Sequence, residues 1–173
     1  MKNRVCDKFH SPIFICLLQK LIKYVKIRVL KFEWKGSGFL KLIACVDDNK
    51  GLMFNKRRQS QDRMLRRRIM ELVGEDKIWM TPYSAKQFEA EYSVNVDDDC
   101  QSKAGENHFY FLENGEFDIK NCQEVILYHW NRLYPADKYF DIDLSGLGFE
   151  LVSKYEFEGY SHEKITEERY VKR

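Results

Sequence analysis

The sequence predicts an α/β fold, a mixed sheet with helices packed on it, and three observations carry that reading. Short apolar runs at 41–46, 77–80, 108–112 and 125–130 have the length of buried strands. Segments with helix start and stop signals separate the early runs, whereas beyond residue 125 strand follows strand with only turns between. The composition, 44% hydrophobic and 32% charged over 173 residues, fits one core with an appendage rather than two independent cores.

Taken in order, residues 41–46 read as a buried strand ended by Asp47-Asp48-Asn49 and turned at Gly51. The polar segment 53–60 predicts irregular chain. Ser60 is expected to cap a helix over 61–73, with Leu65, Ile69, Leu72 and Val73 facing inward and Gly74 as the stop. Residues 77–80 form a short strand, and Pro82 opens a helix reaching Phe88. Asp97-Asp98-Asp99 suits the first turn of another short helix, since carboxylates offset the positive end of the helix dipole. Residues 108–112 are an aromatic strand, Asn114-Gly115 a turn, and 125–130 a strong strand. The remaining strands are expected at 139–142, 149–157 and 165–171.

The net charge of +2 hides a split between two segments. Residues 1–39 carry nine Lys/Arg against two Asp/Glu, while residues 40–173 carry twenty against twenty-five. The first segment is therefore read as a basic extension and the second as the folded domain. Its apolar stretch 13–18 is shorter than the roughly 20 residues a bilayer span needs, and basic residues follow it where a secretory signal would be cleaved. Leu17, Leu18, Leu21, Ile22, Val25 and Val29 fall on one face of an interfacial helix. Ranked above that is a misplaced start: Lys35-Gly36 can be encoded as a ribosome-binding sequence, Leu40 as a start codon, and the first strand opens there. Five cysteines at irregular spacing, with no C-x-x-C and no zinc-ligand pair, predict a reducing, cytoplasmic location and no metal site. Cys45 reads as a small buried hydrophobe.

The run Leu42-Ile43-Ala44-Cys45-Val46-Asp47, then Gly51-Leu52-Met53-Phe54-Asn55, resembles the first strand and substrate loop of the dihydrofolate reductase family. Gln59-Ser60-Gln61-Asp62 stands where that family starts a helix with Leu-Pro-x-Asp. Lys77-Ile78-Trp79-Met80 leading to Tyr83-Ser84 resembles its cofactor-binding strand-to-helix step, and the terminal strands through Tyr170 are similar as well. The resemblance covers most of 41–172. It implies a mixed sheet, mostly parallel with antiparallel C-terminal strands, flanked by helices. It also implies that Asp62 is the carboxylate that holds a ring N–H.

Two departures bear on activity. Where the family has Gly-Gly, this chain has Glu113-Asn114, and the family's Gly-Arg-x-Thr is replaced by Thr81-Pro82-Tyr83-Ser84. A carboxylate is expected to repel a nucleotide diphosphate, and proline donates no N–H. No cofactor is therefore predicted, and NADPH is not expected to bind tightly. Residues 46–62 also resemble small bacterial proteins with the run Val-Asp-Asp-x-x-Gly-x-Met/Leu-x-Phe-Asn-x-Arg-Arg-Gln-Ser-x-Asp, often labelled ribonuclease Z. Here His10, His108, His129 and His162 are isolated, without the His-x-His-x-Asp-His metal motif of that enzyme.

The expected function is binding of a small anionic or heteroaromatic ligand in a cleft near Asp62, with no reaction or catalytic residue assigned. Asp62 would fix a ring N–H and Arg57 or Arg58 an anionic group, because guanidinium forks suit carboxylate and phosphate. Asn55, Tyr83, Ser84 and Trp130 would complete the wall, near strand ends where ligands commonly bind in α/β folds. The alternative partner is nucleic acid. Residues 56–68 hold Lys56, Arg57, Arg58, Arg63, Arg66, Arg67 and Arg68 against Asp62 alone, although the domain as a whole is acidic.

Overall fold

Strand β1 (Leu40–Val46) is buried almost throughout because neighbours flank it on both sides and both its faces are covered, which explains its near-continuous apolar run. The computed structural model describes residues 40–173 other than 89, 91, 115 and 116. The extension 1–39 lies outside the described residues, and with it the expectations of an interfacial helix and of a start at Leu40.

After β1 come β2 (Gly51–Phe54), β3 (Arg57–Arg58), helix α1 (Arg63–Val73), β4 (Ile78–Met80), α2 (Pro82–Ala85), β5 (Asn95–Val96) and α3 (Cys100–Lys103). They are followed by β6 (Phe109–Leu112), β7 (Cys122–His129), β8 (Lys138–Tyr139), β9 (Phe149–Phe157) and β10 (Ile165–Lys172). The main sheet has seven strands in the order β5-β4-β6-β1-β7-β10-β9. Pairings from β5 to β7 are parallel, and β10 is antiparallel to both β7 and β9, the mixed sheet expected from the sequence.

Alternation along the strands builds two cores. Leu42, Ala44, Val46, Leu127, Phe140 and Leu144 fill one face, and Ile43, Phe109, Phe111, Ile126 and Tyr128 the other, under Leu65, Ile69 and Val73 of α1. Among the described residues only α1 is a helix of several turns. Loop residues such as Phe140 and Leu144 do the covering on the opposite face.

Three local expectations are corrected. Residues 53–60 are not irregular: β2 and β3 form a hairpin whose turn residues Asn55 and Lys56 have φ of 47° and 60°, and β8 pairs with the other side of β2. Two positive φ values in a row suit the right-handed twist of the strands they join. Helix α1 begins at Arg63 rather than 61, because Asp62 and not Ser60 is the cap: its carboxylate accepts from the N–H groups of Met64 and Leu65 at 2.8 and 3.3 Å. Helix α2 ends at Ala85, short of Phe88. Gly74 stops α1 as expected, with φ 59° and its N–H on the Met70 carbonyl.

Candidate functional site

The strand register sets a row of chemistry across the carboxyl ends of the parallel strands. Cys45 on β1 is paired with Tyr128 on β7, and Tyr128 with Glu167 on β10. On the other side Ala44 pairs with Leu112, so Glu113, the next residue, continues the row beside Cys45. The row lies on the α1 face, since Cys45 and Tyr128 belong to the core under that helix.

Glu113 is buried and forms an ion pair with Arg58 of the hairpin at 3.3 Å. The Arg58 guanidinium lies 4.6 Å above the Tyr83 ring centre and donates to the Tyr83 carbonyl at 2.9 Å, while the Arg58 N–H donates to the Tyr83 hydroxyl at 3.0 Å. Ser84 is fully buried and, with Gln87, lies beside Glu113. Burial pushes the Glu113 carboxyl up, opposed by Ser84, Arg58 and Gln87. Burial likewise raises the Cys45 thiol, with the Glu113 charge adding to it and Arg58 opposing.

Three buried polar atoms around this row, Glu113 Oε2, Tyr128 Oη and Gln87 Nε2, make no hydrogen bond of good geometry among the described residues, with Ser84 and Gln87 beside Glu113 and Glu167 beside Tyr128. Gln59 Oε1 and Arg66 Nε share that condition. Each such atom costs about 1–3 kcal/mol if it stays unpaired, so their clustering is the feature of the fold that most needs a purpose.

A second cluster stands at the start of α1. The Asp62 carboxylate is buried and accepts from the backbone of Tyr160 at 3.0 Å and Ser161 at 2.7 Å, in addition to its two helix N–H groups. The Ser161 hydroxyl at 3.0 Å and His162 Nδ1 at 3.2 Å complete its shell. Burial works to raise this carboxyl, but the Tyr160 and Ser161 amides and the His162 and Ser161 side chains outweigh it and hold it well below the usual carboxylate range. Gly159 makes room for the arrangement, since a Cβ there would stand 2.7 Å from Asp62 Oδ2. His162 Nε2 faces the Ser60 hydroxyl at 3.0 Å and the Tyr134 hydroxyl at 3.3 Å, and Trp130 stacks on the imidazole with ring centres 4.7 Å apart.

The residues singled out in the sequence therefore divide. Arg58, Tyr83 and Ser84 meet around Glu113, and Asp62 and Trp130 meet around His162. Asn55 and Arg57 belong to neither group: they are exposed on the hairpin, where the Asn55 N–H donates to Asp137 at 2.8 Å. Asp62 spends both oxygens on protein donors. Arg58 spends its charge on Glu113, so the carboxylate expected to repel a diphosphate is one half of an internal ion pair. The seven cations of 56–68 are also partly committed: Arg67 pairs with Glu71, Arg68 with Glu167, and Arg63 lies over Tyr160.

From the sequence Cys45 reads as core, Ser60 as a helix cap and His162 as part of a turn, and Tyr128 and Gln87 give no signal. The parallel register that sets Cys45 beside Tyr128 is the missing signal for those two. An open cavity of about 750 Å³ is at the far end of α1 between Arg67, Glu71, Gly74, Asp76 and Tyr92. None of the unpaired buried atoms lines it, so the chemistry points to the strand ends instead.

Among solved structures, dihydrofolate reductase from Enterococcus faecalis, complexed with NADP(H) and RAB-propyl, is similar to this chain with a TM-score of 0.56. The fold is dihydrofolate reductase-like. At 13% identity over 78% of this chain and 96% of that one, the likeness concerns the dihydrofolate reductase fold alone. No protein-family model matches the chain, and no curated protein does. The ribonuclease Z label receives no support from these comparisons, and the described residues hold no group of three or more His, Cys, Asp or Glu placed to bind a metal ion. No helix among them is long and apolar enough to cross a membrane.

Proposed function

We propose that the protein binds a small heteroaromatic ligand over the row Glu113, Cys45 and Tyr128, at the carboxyl ends of the central strands. One observation carries this reading: Glu113 Oε2, Tyr128 Oη and Gln87 Nε2 are buried and unpaired around one stretch of the sheet. An acceptor, a hydroxyl and an amide donor together match a ring edge bearing an N–H and a carbonyl or ring nitrogen. Arg58 is already paired and Glu113 adds negative charge, so a neutral ring is favoured over an anion. Glu113 takes the part of ring-holding carboxylate that the family resemblance implied for Asp62, and Tyr83 and Ser84 support its surroundings. The position agrees with the rule that open α/β sheets bind ligands outside the carboxyl ends of their strands.

The test is a thermal-shift screen of pterins, purines and flavins against the whole chain, followed by calorimetry. A ligand that binds only the folded state raises the melting temperature. Glu113→Gln keeps the shape but loses the acceptor charge, and is expected to weaken binding of a ring N–H by about 1.5–3 kcal/mol. Equal affinity in the variant would remove Glu113 from the site.

A further inference from the structure

We infer that Ser60, His162 and Asp62 form a nucleophilic serine site that accepts small carboxylic esters. Ser60 Oγ stands 3.0 Å from His162 Nε2, and His162 Nδ1 stands 3.2 Å from Asp62 Oδ2, the serine–imidazole–carboxylate sequence of contacts that activates a hydroxyl. The carboxylate is ionised and so keeps the proton on Nδ1, which leaves Nε2 as the acceptor. Two hydroxyls compete for Nε2, and Ser60 is the nearer, with Tyr134 at 3.3 Å. The Ser161 hydroxyl, 3.2 Å from Nδ1, is occupied by Asp62 and the Gln61 carbonyl.

Burial and exposure divide as the chemistry requires. His162 is buried under the parallel Trp130 ring, and Asp62 is anchored by four backbone N–H groups, so the base is held in one orientation. Ser60 is only partly buried, unlike His162 and Asp62. In the first turn of α1, Met64 and Leu65 donate to Asp62 and Arg66 to the Asp62 carbonyl. The Arg63 N–H, in the same first turn, has no acceptor among the described residues.

In the step, Ser60 Oγ adds to the ester carbonyl as its proton passes to His162 Nε2. The carbon–oxygen bond to the alcohol then breaks, and the alcohol leaves with that proton. Water adds to the acylated Ser60, giving a proton to Nε2 that returns to Ser60 as the carboxylic acid departs. Ester and water become acid and alcohol, with no other reactant. Asp62 is a positioning residue in this scheme, and the site stands independently of the ligand proposed for the strand ends.

The experiment incubates the folded full chain with a fluorophosphonate probe and maps the adduct by mass spectrometry. One adduct per chain is expected, on Ser60, with the exposed Ser145 unlabelled. Ser60→Ala should lose the adduct and keep its melting temperature. His162→Gln should label at least ~100-fold more slowly, the usual scale of a general base. Circular dichroism confirms that this variant is folded. The proposal is overturned if the folded wild type leaves Ser60 unmodified, if Ser60 labels no faster than Ser145, or if folded His162→Gln labels at the wild-type rate.

Discussion

Replacing Asp62 by alanine tests whether that carboxylate is spent on the fold. The change removes the cap of α1, worth about 1 kcal/mol. It also strips acceptors from the part-buried N–H groups of Tyr160 and Ser161, at about 1 kcal/mol each toward the low end of the cost of an unmet donor. With the lost partners of Ser161 Oγ and His162, the total comes to about 3–4 kcal/mol, a large share of the roughly 5–15 kcal/mol a domain possesses. The folded carboxyl is shifted below its unfolded value near ~3.9, so its contribution is complete above that pH and is lost as pH falls toward the folded value. Urea unfolding from pH 7 to pH 3 should show the gap between wild type and Asp62→Ala constant near neutrality and shrinking below about pH 4. A gap under about 1 kcal/mol at pH 7, or one that widens with acid, would refute the buried, fully bonded carboxylate.

Arg68→Met leaves Glu167 beside Tyr128 without its cation, and urea unfolding should show a loss of about 1–3 kcal/mol, tempered because Arg68 is partly exposed. The thiols of Cys45, Cys100 and Cys122 are all pushed up by burial, Cys122 to about 12, so at pH 8 they should react with a disulfide reagent far more slowly in native than in urea-unfolded protein. Fluorescence titration with NADPH should show no micromolar binding, because the Arg58–Glu113 ion pair, with Tyr83 beside it, stands at the end of β6. Binding at that strength would mean that the ion pair opens.

The strands were legible because their apolar runs are long for their surroundings, and the terminal run 149–157 was read at its observed bounds. Residues 53–60 were not, since a hairpin turned by Asn55 and Lys56 carries no glycine to announce it. Asp62 reads from the sequence as a first-turn residue behind a Ser60 cap and is itself the cap; its partners lie about a hundred residues on, and nothing local says whether a carboxylate faces a ligand or the loop 159–162. Glu113 was noticed only as a departure. Its pairing with Arg58, and its alignment with Cys45 and Tyr128, depend on parallel register between strands far apart in the chain.

Whether the unpaired buried groups at the strand ends await a ligand is decided by Tyr128→Phe, measured for stability alone and for binding of any ring found in the screen. Removing a hydroxyl that lies beside Glu167 without a well-formed hydrogen bond should leave urea stability unchanged or raise it by about 1 kcal/mol. The same change should weaken the ring by about 0.5–1.5 kcal/mol through the lost hydrogen bond. A variant that loses more than 1 kcal/mol of stability while binding the ring as tightly as wild type would show that the hydroxyl serves the fold, and would contradict the account.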